Sequence, residues 1–158
     1  MPADLPRPTV PMSLLDRALQ LAVQAHAGQV DKAGAPYILH PLRVMLRLHS
    51  EDERVVAVLH DVLEDSPVTL AELQALGLTA LQCEALDRLT RRESQSYEQF
   101  IERVSEHALA RRVKLADLAD NLDRSRLAAL GELGDRELER LARYERAQAR
   151  LLACEPFA

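Results

Sequence analysis

From Met12 onward apolar side chains recur with helical spacing along this 158-residue chain, and the strict alternation that marks strands is almost absent. Stripes of that period can be buried only against other helices, so the expected fold class is all-α, a helical bundle. Helices are expected at 12–27, 41–49, 52–64, 69–76, 79–90, 96–107, 109–129 and 134–153. Two of the starts carry their own signal, since Ser13 with Asp16 and Thr69 with Glu72 read as capping boxes. The length suits one domain over 12–153, between a loose proline-rich leader at 1–11 and a short tail at 154–158. The last helix, rich in Arg and Glu, reads as a mostly solvated face on which Glu139 pairs with Arg143.

Charge and composition narrow the partners. With 25 acidic against 20 basic residues the net charge is −5, which argues against nucleic acid. Apolar runs are too short for a signal peptide or a membrane span, so a cytoplasmic protein with no membrane partner is expected. Cys83 and Cys154 belong to no CxxC spacing and read as packing or surface thiols. The basic clusters Arg88, Arg91, Arg92 and Arg111, Arg112, Lys114 read as solvated faces, with only Lys114, three residues before Asp117, placed to matter.

Within VVAVLHDVLED, charged residues interrupt what would otherwise be a wholly buried helix. At about 100° per residue, His60, Asp61, Glu64 and Asp65 fall on one arc of roughly 140° and can face one cavity. Acids placed among valines and leucines cost several kcal/mol each unless paired, and a divalent ion pairs them all. His26 in LAVQAHAGQ and Asp117 in VKLADLADNL are likewise polar residues on apolar faces. Together His26, His60, Asp61 and Asp117 offer two imidazoles and two carboxylates from three helices, a set suited to manganese, iron, cobalt or zinc. The competing readings are an ordinary helix end whose acids meet solvent, and a metal-free polar network in a helical adaptor. In the loop GQVDKAGAPYILHP, Lys32 can reach a phosphate and Tyr37 can stack on a base, while His40 before Pro41 reads as a structural hydrogen-bonding residue.

The blocks HAGQ, KAGAPYILHP, LHDVLED and VKLADLADNL, in this order over about residues 12 to 130, resemble the hydrolase domain of RelA/SpoT-type proteins and the small alarmone hydrolases of the HD phosphohydrolase superfamily. The resemblance implies an all-α HD fold holding one Mn²⁺, and removal of the 3′-pyrophosphate from guanosine tetra- or pentaphosphate. It implies His26, His60, Asp61 and Asp117 as metal ligands, Glu64 and Asp65 as the acidic pair positioning the attacking water, and Asn121 as the ribose contact. Lys114 occupies the lysine of the family's KLAD. Asp31 stands where the family carries an arginine against guanine, so Asp31→Arg is expected to strengthen nucleotide binding. Leu118, Ala119 and Asp120 replace a basic residue, leucine and histidine, and Arg124 replaces a smaller polar residue, bringing a charge that can cross the pocket. Lys32, Asn121, Lys114 and Arg124 are thus the expected contacts to a small nucleotide. A different nucleotide or phosphate ester, or a metal-bound sensor without turnover, are the alternative functions.

Overall fold

In the computed structural model, residues 6, 7, 9–128 and 130–154 are described, the side chains of Arg124 and Ser125 excepted. Residues 1–5 and 8 of the expected leader, most of the expected tail, and the Arg124 side chain lie outside them. Among the described residues the chain forms helices and no strand; the only pairing of extended backbone is an isolated bridge between Val30 and Pro36.

The helices are α1 (Leu14–Ala25), α2 (Leu39–Leu46), α3 (Glu51–Leu59), α4 (Val62–Asp65), α5 (Leu70–Leu76), α6 (Ala80–Leu89), α7 (Tyr97–Ser105), α8 (Ala108–Asn121), α9 (Arg124–Ala128) and α10 (Asp135–Leu152). Both expected capping boxes form, and Ser50 with Glu53, Thr79 with Gln82, and Ser96 with Gln99 add three more. Each satisfies N–H groups that a helix start leaves open, worth about 1 kcal/mol. Gly77 ends α5 at φ +117°, a left-handed conformation that a side chain would strain.

Helix α3 is the axis of the bundle. Val55, Val56, Ala57, Val58 and Leu59 are all fully buried, because α1, α2, α6 and α8 cover it on every side. A helix so enclosed reads as a continuous apolar run rather than a stripe, as this one does.

Two expected helices are each broken in two. The one expected over 52–64 ends at Leu59, and the chain restarts at Val62. At the break the His60 N–H bonds the Ala57 carbonyl, three residues back, and the His60 ring nitrogen Nδ1 takes the same oxygen at 2.6 Å. That oxygen is lost to the i→i−4 ladder and the turn tightens. The one expected over 109–129 stops at Asn121 because the Asp120 carbonyl is taken by the Asp123 N–H and by Arg126 Nη1. Helix α10 also departs from expectation. Ala147 and Leu151 are buried against α7 and α8, and Arg143 lies 4.7 Å over the Tyr97 ring with no ion pair to Glu139.

Candidate metal centre

Two histidines and two aspartates meet where α2, the α3–α4 break and α8 converge, with a third histidine at the end of α1, which packs on α3. His26 caps the C-terminus of α1, His40 lies in α2, His60 and Asp61 form the break, and Asp117 lies in α8. All but Asp61 are buried, and Asp61 is partly so. His60 Nε2 stands 3.1 Å from Asp61 Oδ2 and 3.4 Å from Asp117 Oδ1. His40 Nε2 stands 2.9 Å from Asp117 Oδ1 and 3.7 Å from Asp61 Oδ2. Donor atoms of His40, His60 and Asp61 all fall within 4.8 Å of one another.

The tautomers follow from the acceptors. His60 Nδ1 faces a carbonyl, which can only accept, so that nitrogen carries hydrogen. His26 Nδ1 lies 2.8 Å from Gln29 Oε1, whose amide group is oriented by donating Nε2 to the carbonyls of Ala25 and Asp65. His26 Nδ1 therefore also carries hydrogen. In both rings Nε2 is buried without a hydrogen-bond partner among the described residues. An Nδ1–H anchored to an oxygen with a bare, buried Nε2 is the arrangement of a metal-ligating imidazole, so these residues fit a divalent cation.

Electrostatics call for positive charge, a proton or a cation, at the same His60 nitrogen. Burial opposes charge on His60, but the Asp61 and Asp117 carboxylates outweigh it and hold its pKa well above the ordinary imidazole value. Burial likewise opposes the Asp61 carboxylate, yet the His60 charge prevails and draws its pKa to about 2. Asp117 is held well below its ordinary value against burial by Lys114 and His60. The cluster thus favours positive charge at its centre.

A cavity of about 680 Å³ opens beside it, lined by His60, Asp61, Glu64, Lys114, Asp117 and Asn121 among others. His26 is buried and does not line it. Asp65 is exposed, as Glu64 is, and does not line it, but burial and the Asp61 charge raise its carboxyl pKa while His26, His60 and His40 act against them, which keeps it beside the cluster. Glu64 Oε1 accepts the Arg91 backbone N–H at 2.6 Å, and burial raises its carboxyl pKa. Lys114 Nζ donates to Asp117 Oδ2 at 2.8 Å, and Asn121 Nδ2 to Asp117 Oδ1 at 3.1 Å. The Tyr37 hydroxyl donates to Asp61 Oδ2 at 2.5 Å, and its ring lies 4.9 Å from that of His26 and 5.9 Å from that of His40. Lys32 pairs with Glu137 at the start of α10.

Asp31 is committed to its own loop. Its Oδ1 accepts the N–H groups of Ala33 and Ala35, both at 2.9 Å, and its Oδ2 lies 3.9 Å from Arg126. The sequence reading missed the cavity wall formed by Tyr97, Arg140, Arg143 and Tyr144, which carry no signal beyond ordinary helical stripes. It also missed the pairing of His40 with fully buried Asp120. Asp120 lies one helical turn from Asp117, and that spacing is the signal that could have found it.

Fold and site together define an all-α protein with a buried His–Asp cluster of the HD type opening on a cavity. No family model matches the chain. It is 31% identical over 128 residues to a probable guanosine-3′,5′-bis(diphosphate) 3′-pyrophosphohydrolase of Synechocystis, covering 72% of this chain and 17% of that protein. The enzyme of that name from Haemophilus influenzae is 36% identical over 135 residues, covering 78% and 20%. The Brucella ovis GTP pyrophosphokinase rsh is 30% identical over 132 residues, covering 73% and 17%. The chain spans about a fifth of the length of these relatives. Among solved structures, that of a metazoan SpoT ortholog, described as hydrolysing ppGpp and acting in starvation responses, superposes with a TM-score of 0.76 over 93% of this chain and 90% of its own. At 23% identity that likeness is one of fold. Over about three quarters of its length the chain is thus similar in sequence to a segment of these RelA/SpoT-type proteins, as its four sequence blocks suggested, and similar in fold to the SpoT ortholog. Among the described residues no helix is long and apolar enough to cross a membrane.

Proposed function

We propose that the chain is a metal-dependent phosphohydrolase that removes the 3′-pyrophosphate from guanosine 3′,5′-bis(diphosphate), with one Mn²⁺ or other first-row divalent ion held by His26, His60, Asp61 and Asp117. The observation that carries this reading is the pair of buried, unpartnered imidazole nitrogens, His26 Nε2 and His60 Nε2, with the Asp61 and Asp117 carboxylates beside His60. Relatives named for that activity support the substrate, and the SpoT ortholog supports the assignment to a segment of this size.

When bound, the ion supplies Lewis acidity at the phosphoryl group under attack. Glu64, on the cavity wall with a raised carboxyl pKa, orients the attacking water and accepts its proton. Asp65, beside the cluster, acts on Glu64, whose pKa its charge helps to raise. Lys114 and Asn121 hold Asp117 and keep further N–H donors for substrate oxygens. Lys32 meets a phosphate by exchanging Glu137 for it.

The test is release of GDP and diphosphate from guanosine tetraphosphate by the wild type and by His60→Ala, with Mn²⁺, Co²⁺ or Zn²⁺ and with chelator. Turnover that needs both the ion and His60 is expected. No turnover with any ion, or equal rates for the two proteins, refutes the proposal. A second reading is hydrolysis of a different nucleotide or phosphate ester at the same centre. It is favoured by Asp31, which occupies the place of a guanine-stacking arginine and is tied into the loop.

A further inference from the structure

Asp31 and Arg126 stand side by side on the cavity wall as an ion pair that does not close. Asp31 Oδ2 lies 3.9 Å from Arg126 Nη2, too far for a hydrogen bond. Each group is held in place by other bonds. Asp31 Oδ1 accepts the N–H groups of Ala33 and Ala35, both at 2.9 Å. Arg126 Nη1 donates to the Asp120 carbonyl at 3.0 Å and to Asp120 Oδ2 at 2.7 Å. Among the described residues this leaves Asp31 Oδ2 as an unused acceptor and the Nε and Nη2 edge of Arg126 as unused donors.

The surroundings suit a flat, neutral ring better than a phosphate. Arg126 already has the carboxylates of Asp31 and Asp120 beside it, and both repel an anion. Val30, Leu127 and Leu130, neighbours of the pair in the chain, line the same cavity and offer apolar contact to a ring face. The placement relative to the metal centre agrees. Arg126 and His40 share Asp120 Oδ2, and His40 Nε2 reaches the Asp117 carboxylate. The guanidinium thus stands one imidazole and one carboxylate oxygen from the cluster, within the length of a nucleoside.

A fixed donor edge next to a fixed acceptor distinguishes the purines. Guanine presents the acceptors N7 and O6 beside the N1–H donor, whereas adenine presents an amino donor beside a bare N1 acceptor. Resting on the guanosine-nucleotide reading above, we infer that Asp31 and Arg126 together select a 6-oxopurine. Arg126 donates to O6 and N7 from its free edge, and Asp31 Oδ2 accepts the N1–H. Adenine in the same place sets its amino group against the guanidinium and its N1 against the carboxylate. Position 31 then reads the edge of the base, where the family resemblance put a cation against its face.

The test compares guanosine 3′,5′-bis(diphosphate) with its inosine and adenosine counterparts, using the full chain. Binding is read by calorimetry in chelator, where no turnover intervenes, and kcat/KM is read with Mn²⁺. The wild type is expected to take the guanosine and inosine compounds within about threefold of each other, and to prefer both to the adenosine compound by about 10- to 100-fold, chiefly in Kd and KM. Asp31→Asn keeps an oxygen for the two loop N–H groups and turns the other atom into a donor, so the preference should fall to within about threefold. Arg126→Lys keeps the charge without the paired edge and should lower the preference in the same direction. The wild-type comparison needs no variant, so a misfolded variant leaves the test intact. Equal affinities and equal kcat/KM for the guanosine and adenosine compounds, or a folded Asp31→Asn with the wild-type preference, overturn the inference while leaving the hydrolase reading in place. Selective binding without turnover overturns the hydrolase reading alone, and a wild type that binds none of the three overturns both.

Discussion

Lys114 and a divalent cation both neutralise Asp117, and Lys114→Met separates their contributions. Lys114 Nζ lies 2.8 Å from Asp117 Oδ2, with the two side chains only 12% and 6% exposed. Removing one partner of a buried ion pair costs about 3–5 kcal/mol, because the other charge stays buried. Asp117 Oδ1 keeps Asn121 Nδ2 and His40 Nε2, which places the cost near the lower end, about 3 kcal/mol without metal. For a domain of this size that is a fall in Tm of about 6–12 °C. With saturating Mn²⁺ the ion takes over part of the lost neutralisation, and the cost drops by about half. The difference, about 1.5 kcal/mol, must then return as roughly tenfold tighter Mn²⁺ binding by the variant. Thermal melts in chelator and in Mn²⁺, with a Mn²⁺ titration of both proteins, read every side of this cycle. Equal losses of Tm in the two conditions, or an unchanged Mn²⁺ affinity, would refute the competition.

Three further perturbations test other parts of the structure. Burial raises the Glu53 carboxyl pKa, but the N–H groups of His49 and Ser50 and the Arg112 guanidinium outweigh it and leave the pKa lowered. Its stabilisation is therefore complete above the ordinary glutamate value and lost as pH falls through the lowered one, so Glu53→Gln should flatten the acid side of the stability curve by about 1 kcal/mol in urea melts; parallel curves would argue against it. Glu64→Gln should retain Mn²⁺ affinity in calorimetry yet lose most turnover, and wild-type rates would remove Glu64 from the chemistry. Asp31→Arg removes the acceptor of two loop N–H groups, at about 1–2 kcal/mol of local order, so faster amide exchange at Ala33 and Ala35 is expected and KM should rise. That reverses the gain expected from the sequence, and a lower KM would restore the earlier view.

What the chain states locally, the sequence already determined. Helical periodicity and the S/T-x-x-E/Q starts depend on neighbours within four residues, so the all-α class and the caps at Ser13 and Thr69 were legible without a structure. Polar residues among apolar ones are a local anomaly too, which is why His26, His60, Asp61 and Asp117 could be singled out. The tertiary structure alone decided what each of them faces. His40 meets Asp120 across 80 residues of chain, Arg43 meets Asp120 across 77, and Lys32 meets Glu137 across 105, separations that no helical period encodes. The same limit hid the wall that α10 gives to the cavity. His60 ends α3 by placing Nδ1 on the Ala57 carbonyl, and that one competition for an acceptor breaks a helix that the local pattern would have run on to Glu64.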